Sequence, residues 1–313
     1  MDHLLFSLNA TLPVFMVMVL GIVLKKLKIV DDDFVKNANK LVFVVCLPLL
    51  VFQDLANTNI VEVWDGKFVG YCFIVTLCSI IISIIISKLL IKQSLQGEFI
   101  QGSYRSSAAI LGIALIQNIY GASVMGPLMI LGSVPLYNMM AVCVLSLFKE
   151  QHQLDLKIMK QTVIEIIKNP IIIAIVAGIV VSLLPFEIPS VMAKSIDYVS
   201  RLATPLGLMA MGASFHLKSV LVYSKETLIA VFMKLLGFGL LFIPFAIMIG
   251  FRNDQLIAIL VMLCGSTTVS SYVMAKNMGH EGVLTTGIVM LSTLLCAFAI
   301  TLWLFILKSM SLI

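Results

Sequence analysis

A chain of 313 residues that is 60% hydrophobic and 12% charged, with a mean hydropathy of +1.10, is too apolar for one or two soluble domains and reads as a polytopic membrane protein. Its net charge of +5 is read as a product of topology rather than of a nucleic-acid partner, which is not expected. The six cysteines (Cys46, Cys72, Cys78, Cys143, Cys264, Cys296) all fall in apolar stretches without metal-type clustering, so neither disulfide nor metal site is expected.

A helix needs roughly 20 apolar residues to cross about 30 Å of hydrocarbon. Ten stretches qualify, at 4–24, 40–53, 68–90, 99–120, 123–148, 163–184, 198–215, 227–249, 255–275 and 283–307. The first follows Asp2 and His3 and precedes Lys25, Lys26 and Lys28, the reverse of the charge order in a cleavable signal. It is therefore read as a retained helix that enters from outside. Lys25, Lys26, Lys28, Lys36, Lys40, Lys88, Lys92, Arg105, Lys149, Lys157, Lys160, Lys168, Lys218, Lys225 and Lys276 then lie inside. Lys67, Lys194, Arg201, Arg252 and Lys308 lie outside, and Lys234 falls within a span. This positive-inside bias and the even span count predict a multi-pass protein of the cell membrane with both termini outside.

The fourth and ninth spans stand apart. QGSYRSSAAILGIALIQNIYG (101–121) and CGSTTVSSYVMAKNMG (264–279) put small and hydroxylated residues in mid-span, at matching places in the two halves. Paired interrupted helices of this kind point to a transporter's substrate site. Prolines and glycines repeat as well: Pro13 pairs with Pro170, Gly21 with Gly178 and Pro48 with Pro205 at one common offset. Five spans per half is an odd number, so the second copy is expected to be inverted. The repeats are drawn at 1–150 and 151–313, joined by the charged loop 149–168. Pro48 and Pro205 are expected to kink their helices.

Blocks along nearly the whole chain resemble the auxin efflux carrier family, its bacterial branch in particular. They are NKLVFVVCLPLLVF (39–52), FIQGSYRSS (99–107), LGSVPLYNMMAV (131–142), KNPIIIAIVAGIV (168–180), ATPLGLMAMGASF (203–215) and VSSYVMAKNMG (269–279). The resemblance implies an all-α fold of ten transmembrane helices in two inverted five-helix repeats, with broken fourth and ninth helices that cross at mid-membrane. It further implies a scaffold of spans 1, 2, 6 and 7 (4–53 and 163–215) and a mobile transport bundle of spans 3–5 and 8–10 (68–148 and 227–307). A homodimer joined through the scaffold is expected in the lipid bilayer. Bacterial relatives are described as carriers of acids such as malate or malonate, and plant relatives export an indole carboxylate. The chain departs from the family's pattern at the crossing, with Ala114 and the region of Ser266 in place of prolines and Ser107 in place of an asparagine. Gly112 and the run Gly265, Ser266, Thr267 and Thr268 are then left to break the helices.

Free N–H groups at half-helix N-termini suit a carboxylate. Ser106, Ser107, Ser266, Thr267, Thr268, Ser270 and Ser271 would add hydroxyls around Gly112 and Gly265, although small and hydroxylated residues also serve plain helix packing in membranes. Asn138 either bonds the substrate or caps the broken fourth helix. Arg105, placed at the cytoplasmic entrance of the fourth span, is either a gate for anions or a positive-inside anchor. Lys234 either compensates an anionic substrate or snorkels to the surface.

No Asp or Glu lies in the middle of any predicted span, so an ion-coupling carboxylate at mid-membrane is not expected. Nor is there an intramembrane His/Asp pair, a zinc motif or a Gly-rich phosphate loop, so the chain is read as neither an enzyme nor an ATP-driven pump, without cofactor. The expectation is a secondary or potential-driven carrier of small organic anions, moving one bundle against the other. The alternatives are a sodium-coupled carrier resembling the bile acid symporters and a membrane ligand sensor.

Overall fold

The computed structural model describes residues 13, 16–56, 65–107, 116, 119, 125–148, 164, 167–183, 188–215 and 221–313, and their regular structure is entirely helical. In chain order the helices are α1 (16–26), α2 (Asp32–Ala56), α3 (Gly66–Leu90), α4 (Gln93–Tyr104), α5 (Met125–Leu147), α6 (Pro170–Leu183), α7 (Ser190–Ser200), α8 (Ala203–Ala213), α9 (Ser224–Ile249), α10 (Asn253–Cys264), α11 (Ser270–Asn277) and α12 (Val283–Ser309). Five of them, α2, α3, α5, α9 and α12, are long and apolar enough to cross a membrane, whereas α6 and α10 are apolar but shorter.

Local chemistry sets these elements. The Asp65 side chain accepts from the amides of Lys67 and Phe68 and so starts α3, which then runs 25 residues without Gly or Pro after Gly70. Two of its buried hydroxyls bond back within the helix, Ser79 to the Val75 carbonyl and Ser83 to that of Ser79. On α12, Leu294, Phe298, Leu302 and Phe305 form an exposed stripe, the kind of face that lipid covers.

α2 widens to π geometry over Val42–Cys46, just ahead of Pro48, which has no N–H to offer the Val44 carbonyl. Pro205 instead sits in the first turn of α8, where its missing donor is harmless. The predicted seventh span is thus two helices parted at Arg201 and Leu202, and the second begins at Asp32, eight residues earlier than expected, because Asp31 caps it through the Phe34 amide.

The interior divides into two main apolar cores. One gathers Phe68 and Cys72 of α3, Phe99 and Tyr104 of α4, Leu128 and Met129 of α5, Phe238 of α9, α10 throughout and Trp303 of α12. The other gathers Met18 of α1, Val42 to Leu55 of α2, Ile171 of α6, Met211 of α8, Tyr272 to Ala275 of α11 and the last turns of α5. Glycines set the closest approaches in the second core: a Cβ on Gly21 of α1 would overlap the Met209 carbonyl of α8, and one on Gly178 of α6 would meet Leu55 and Phe52 of α2. A polar set also crosses this core, in which Tyr272 donates to Ser214 at 3.0 Å and Asn277 to the Asn39 carbonyl at 3.0 Å.

α3–α4 and α9–α10 are built alike. In each, a long helix is followed after a short turn by a 12-residue helix that ends in extended backbone, at Arg105 in one and Gly265 in the other.

Candidate functional site

The C-terminal ends of α4 and α10 meet. α4 ends at Tyr104 and residues 105–107 are non-helical; α10 ends at Cys264 and α11 resumes at Ser270. Ser107 donates its amide to the Ser266 carbonyl at 2.8 Å, Ser106 Oγ donates to the Val261 carbonyl at 2.9 Å, and Thr267 Oγ1 donates to the Gly102 carbonyl at 2.8 Å. The Thr267 amide is taken by Ser292 Oγ of α12.

Every helix C-terminus leaves carbonyls without intrahelical partners, and buried ones must be bonded. Here the chain's own side chains bond several of them. Lys234, fully buried at 0% exposure in a π segment of α9, donates to the Tyr104 and Met262 carbonyls, both at 3.2 Å. Its ammonium thus lies at the negative ends of both α4 and α10. Tyr137 of α5 adds a second bond to the Met262 carbonyl at 3.1 Å.

A cavity of about 200 Å³ opens beside this junction, lined on one side by Leu47, Leu50, Val51 and Asp54 of α2 with Ala203 and Thr204 of α8. Its other wall holds Arg105, Ser106, Ser107, Asn138, Thr268 and Ser270. Arg105 is 2% exposed. Its Nη2 donates to Asn138 Oδ1 at 2.8 Å and to Ser270 Oγ at 2.9 Å, and its Nη1 reaches the Met274 sulfur at 2.8 Å. Among the described residues Nε has no partner and no carboxylate forms an ion pair with this guanidinium. A buried cation held only by neutral acceptors attracts an anion strongly.

Of the residues singled out in the sequence, Arg105, Ser106, Ser107, Asn138, Thr268 and Ser270 line the cavity. Gly265, Ser266, Thr267 and Ser271 lie in the packing behind it: the Ser271 carbonyl accepts from Gln101 at 2.9 Å, and a Cβ on Gly265 would stand 2.5 Å from the Val261 carbonyl and 2.6 Å from Ser106 Oγ. Gly112 and Ala114 lie outside the described residues.

Three expectations change. Arg105 is not at the entrance of its helix but at the C-cap of α4, which already begins at Gln93, and it is buried rather than a loop cation. Lys234 does not snorkel; it is buried on backbone carbonyls and is absent from the cavity lining. Asn138 holds the Arg105 side chain and bonds its own helix at Val134, rather than capping the broken helix.

Two carboxylates escaped sequence reasoning. Asp54 lines the cavity near the end of α2, and Glu98 is 1% exposed within α4. Both lie just outside the apolar windows, and only the longer helices seen here bring them inside.

A family model described as membrane transport protein matches residues 6–304. No curated protein matches the chain.

Proposed function

The chain belongs to the membrane transport protein family, that of the auxin efflux carriers, and from this premise we propose that it carries small organic anions, carboxylates such as malate or malonate among them, by alternating access. The observation that carries the substrate class is the Arg105 guanidinium, buried, unpaired by any described carboxylate, and edged by hydroxyls on a cavity beside the meeting ends of α4 and α10. Arginine's planar fork suits a carboxylate, and Ser106, Ser107, Thr268 and Ser270 supply further donors.

In this reading the chain spans the membrane ten times. The five long helices are joined by α1, by α6, by the α7–α8 pair and by two broken spans, one beginning with α4 and one made of α10 and α11. The two halves, 1–150 and 151–313, are inverted copies. The matching construction of α3–α4 and α9–α10 supports this, and so do the glycine contacts, in which the first span of each half lies against the second span of the other. The first apolar core, which draws only on residues 68–148 and 230–312, supports a moving bundle of α3–α5 and α9–α12; the scaffold is then α1, α2 and α6–α8, against which α5 and α11 pack in the second core, with the cavity between them. An elevator-type movement carries Arg105 and its anion past the apolar wall of α2. A homodimer through the scaffold and termini on the outer face of the cell membrane complete the proposal.

Counterflow of labelled carboxylates in liposomes tests it. Accumulation driven by unlabelled acid inside, independent of sodium, is the expected result. Sodium-dependent flux would move the chain to the symporter alternative, and binding without counterflow would make it a sensor.

A further inference from the structure

We infer that the start of α8 is a second carboxylate receptor in the cavity, built from the amides of Ala203 and Thr204 and the Thr204 hydroxyl, so that an acid with two carboxylates sets one on Arg105 and the other on α8. The inference rests on the transport reading above and assigns the residues by which its site tells a diacid from an acid with one carboxylate.

The chain leaves this helix end uncapped. Leu202 at the N-cap has no side-chain oxygen to accept an amide, and the first turn holds no acidic residue. Ser200, just upstream, is already engaged, donating to Gln53 Oε1 at 2.6 Å and to the Asp197 carbonyl at 3.0 Å. Pro205 brings no N–H, and the Leu206 amide is bonded to the Leu202 carbonyl at 3.0 Å. The amides of Ala203 and Thr204 remain, and they have no partner among the described residues. Both residues line the cavity, and Ala203 is 3% exposed. Buried, unbonded amides at the positive end of an 11-residue helix are a seat for an anion.

A second mark of a ligand stands on the opposite wall. Arg105 is 2% exposed and lines the same cavity, and its Nε is without a partner among the described residues. The cavity therefore has a receptor on each wall, one a guanidinium and one a helix N-terminus. Its volume, about 200 Å³, is below the roughly 300–1,000 Å³ usual for small-molecule pockets, so a ligand seated on Arg105 also meets the far wall. Against Leu47, Leu50 and Val51 a second carboxylate would lose water without gaining a hydrogen bond. At α8 it gains two amides and a hydroxyl.

The charged groups near α8 are accounted for. Arg201 and Asp197 pair with each other at 2.8 Å, and the arginine side chain is exposed. Asp54 lies one turn after Leu50 and Val51 on α2 and has an interaction partner of its own. It stays unchanged in every protein compared below.

Thermal shift of the purified full chain with malonate and with malonamate, its monoamide of the same shape and one charge fewer, tests the inference. Wild type should be stabilised by malonate at concentrations about tenfold lower than by malonamate, the equivalent of one charge-assisted hydrogen bond. Thr204→Asp sets a carboxylate in the first turn of α8, where it suits the helix but repels a second anion. There the preference should vanish while malonamate still binds, and in Thr204→Ser, which keeps the hydroxyl, it should persist. Should Thr204→Asp fail to fold, Thr204→Val decides, with the preference expected to shrink about threefold or more. Equal or tighter malonamate binding by wild type overturns the inference and leaves the carboxylate reading standing. An unchanged preference in the folded Thr204→Asp, or in Thr204→Val where that one decides, does the same, because the second carboxylate would then lie on the hydroxyls beside Arg105. No stabilisation by either acid, together with no counterflow, overturns the inference and the anion-transport reading together.

Discussion

The amide of Ser107 donates to the carbonyl oxygen of Ser266 across 2.8 Å, so the chain just past two helix ends far apart in sequence is joined backbone to backbone. Unwound backbone in a membrane is tolerable only where protein or a watery cavity satisfies it. This rung does part of that work, the hydroxyls of Ser106 and Thr267 do more, and the cavity receives the rest.

The rung needs Gly265. An added methyl there would stand within 2.6 Å of both the Val261 carbonyl and Ser106 Oγ, and neither is the far end of a flexible chain. Gly265→Ala is therefore expected to destabilise by about 1–3 kcal/mol, the usual range for overpacking. A fall of several degrees in the melting temperature of the purified protein would register it. Adding Ser106→Ala should recover part of the loss, and a wild-type melt for Gly265→Ala would mean that the crossing is looser than described.

Arg105 should separate binding from folding. Lysine keeps the charge but lacks the fork that reaches Asn138 and Ser270 from one nitrogen. Arg105→Lys is expected to raise the half-saturating carboxylate concentration in counterflow by about tenfold, the equivalent of one charge-assisted hydrogen bond. Arg105→Gln should abolish saturable flux. Carboxylate-dependent thermal stabilisation should fall in the same order, with unliganded melting temperatures near wild type, and equal affinities in all three proteins would leave Arg105 a packing role.

What was legible in the sequence was the region where the ends of α4 and α10 meet rather than its chemistry. Small and hydroxylated residues in two matched spans marked the junction, and Arg105, Ser107, Thr268 and Ser270 do face the cavity. Hydropathy windows hid Glu98 and Asp54, because a window ends where charge begins, whereas a helix ends where its caps are. Nothing in the chain order signals that Lys234 reaches Tyr104, since a contact over 130 positions is set by how α9 packs on α4. The π segment that holds Lys234 has no proline at its end to announce it, unlike the one before Pro48.

Glu98 caps a helix other than its own. Its carboxylate accepts from the amides of Gly282 and Thr285, both at 2.8 Å, and from Thr285 Oγ1 at 2.9 Å, so the N-terminus of α12 is closed from α4. Gly282 at that start has φ +72° and brings no side chain to cap it. Glu98→Gln removes the charge from bonds worth about 1.5–3 kcal/mol each and turns one acceptor into a donor facing an N–H. The melting temperature should drop by more than in Thr285→Val, which loses one of the three bonds. Hydrogen exchange should rise first at residues 283–286, and protection unchanged there would show that α12 starts without Glu98.

Lys234 gives the sharpest contrast between two roles. As compensation for the substrate, its replacement by glutamine would weaken flux more than folding. The geometry instead predicts the reverse, because the ammonium is directed at the Tyr104 and Met262 carbonyls, 3.2 Å away, and not into the cavity. The Met262 carbonyl keeps its bond from Tyr137, so the Tyr104 carbonyl is the group that Lys234→Met leaves short of this donor, at a cost of about 1–3 kcal/mol. Relief from burying a charge offsets part of that, but two helix ends also lose their cation. Lys234→Met should therefore lower yield and melting temperature, while the protein that does fold keeps its carboxylate affinity within about threefold. A normal melt with binding lost would return the ammonium to the substrate and require a path from Lys234 to the cavity, opened by movement of α9 against α4.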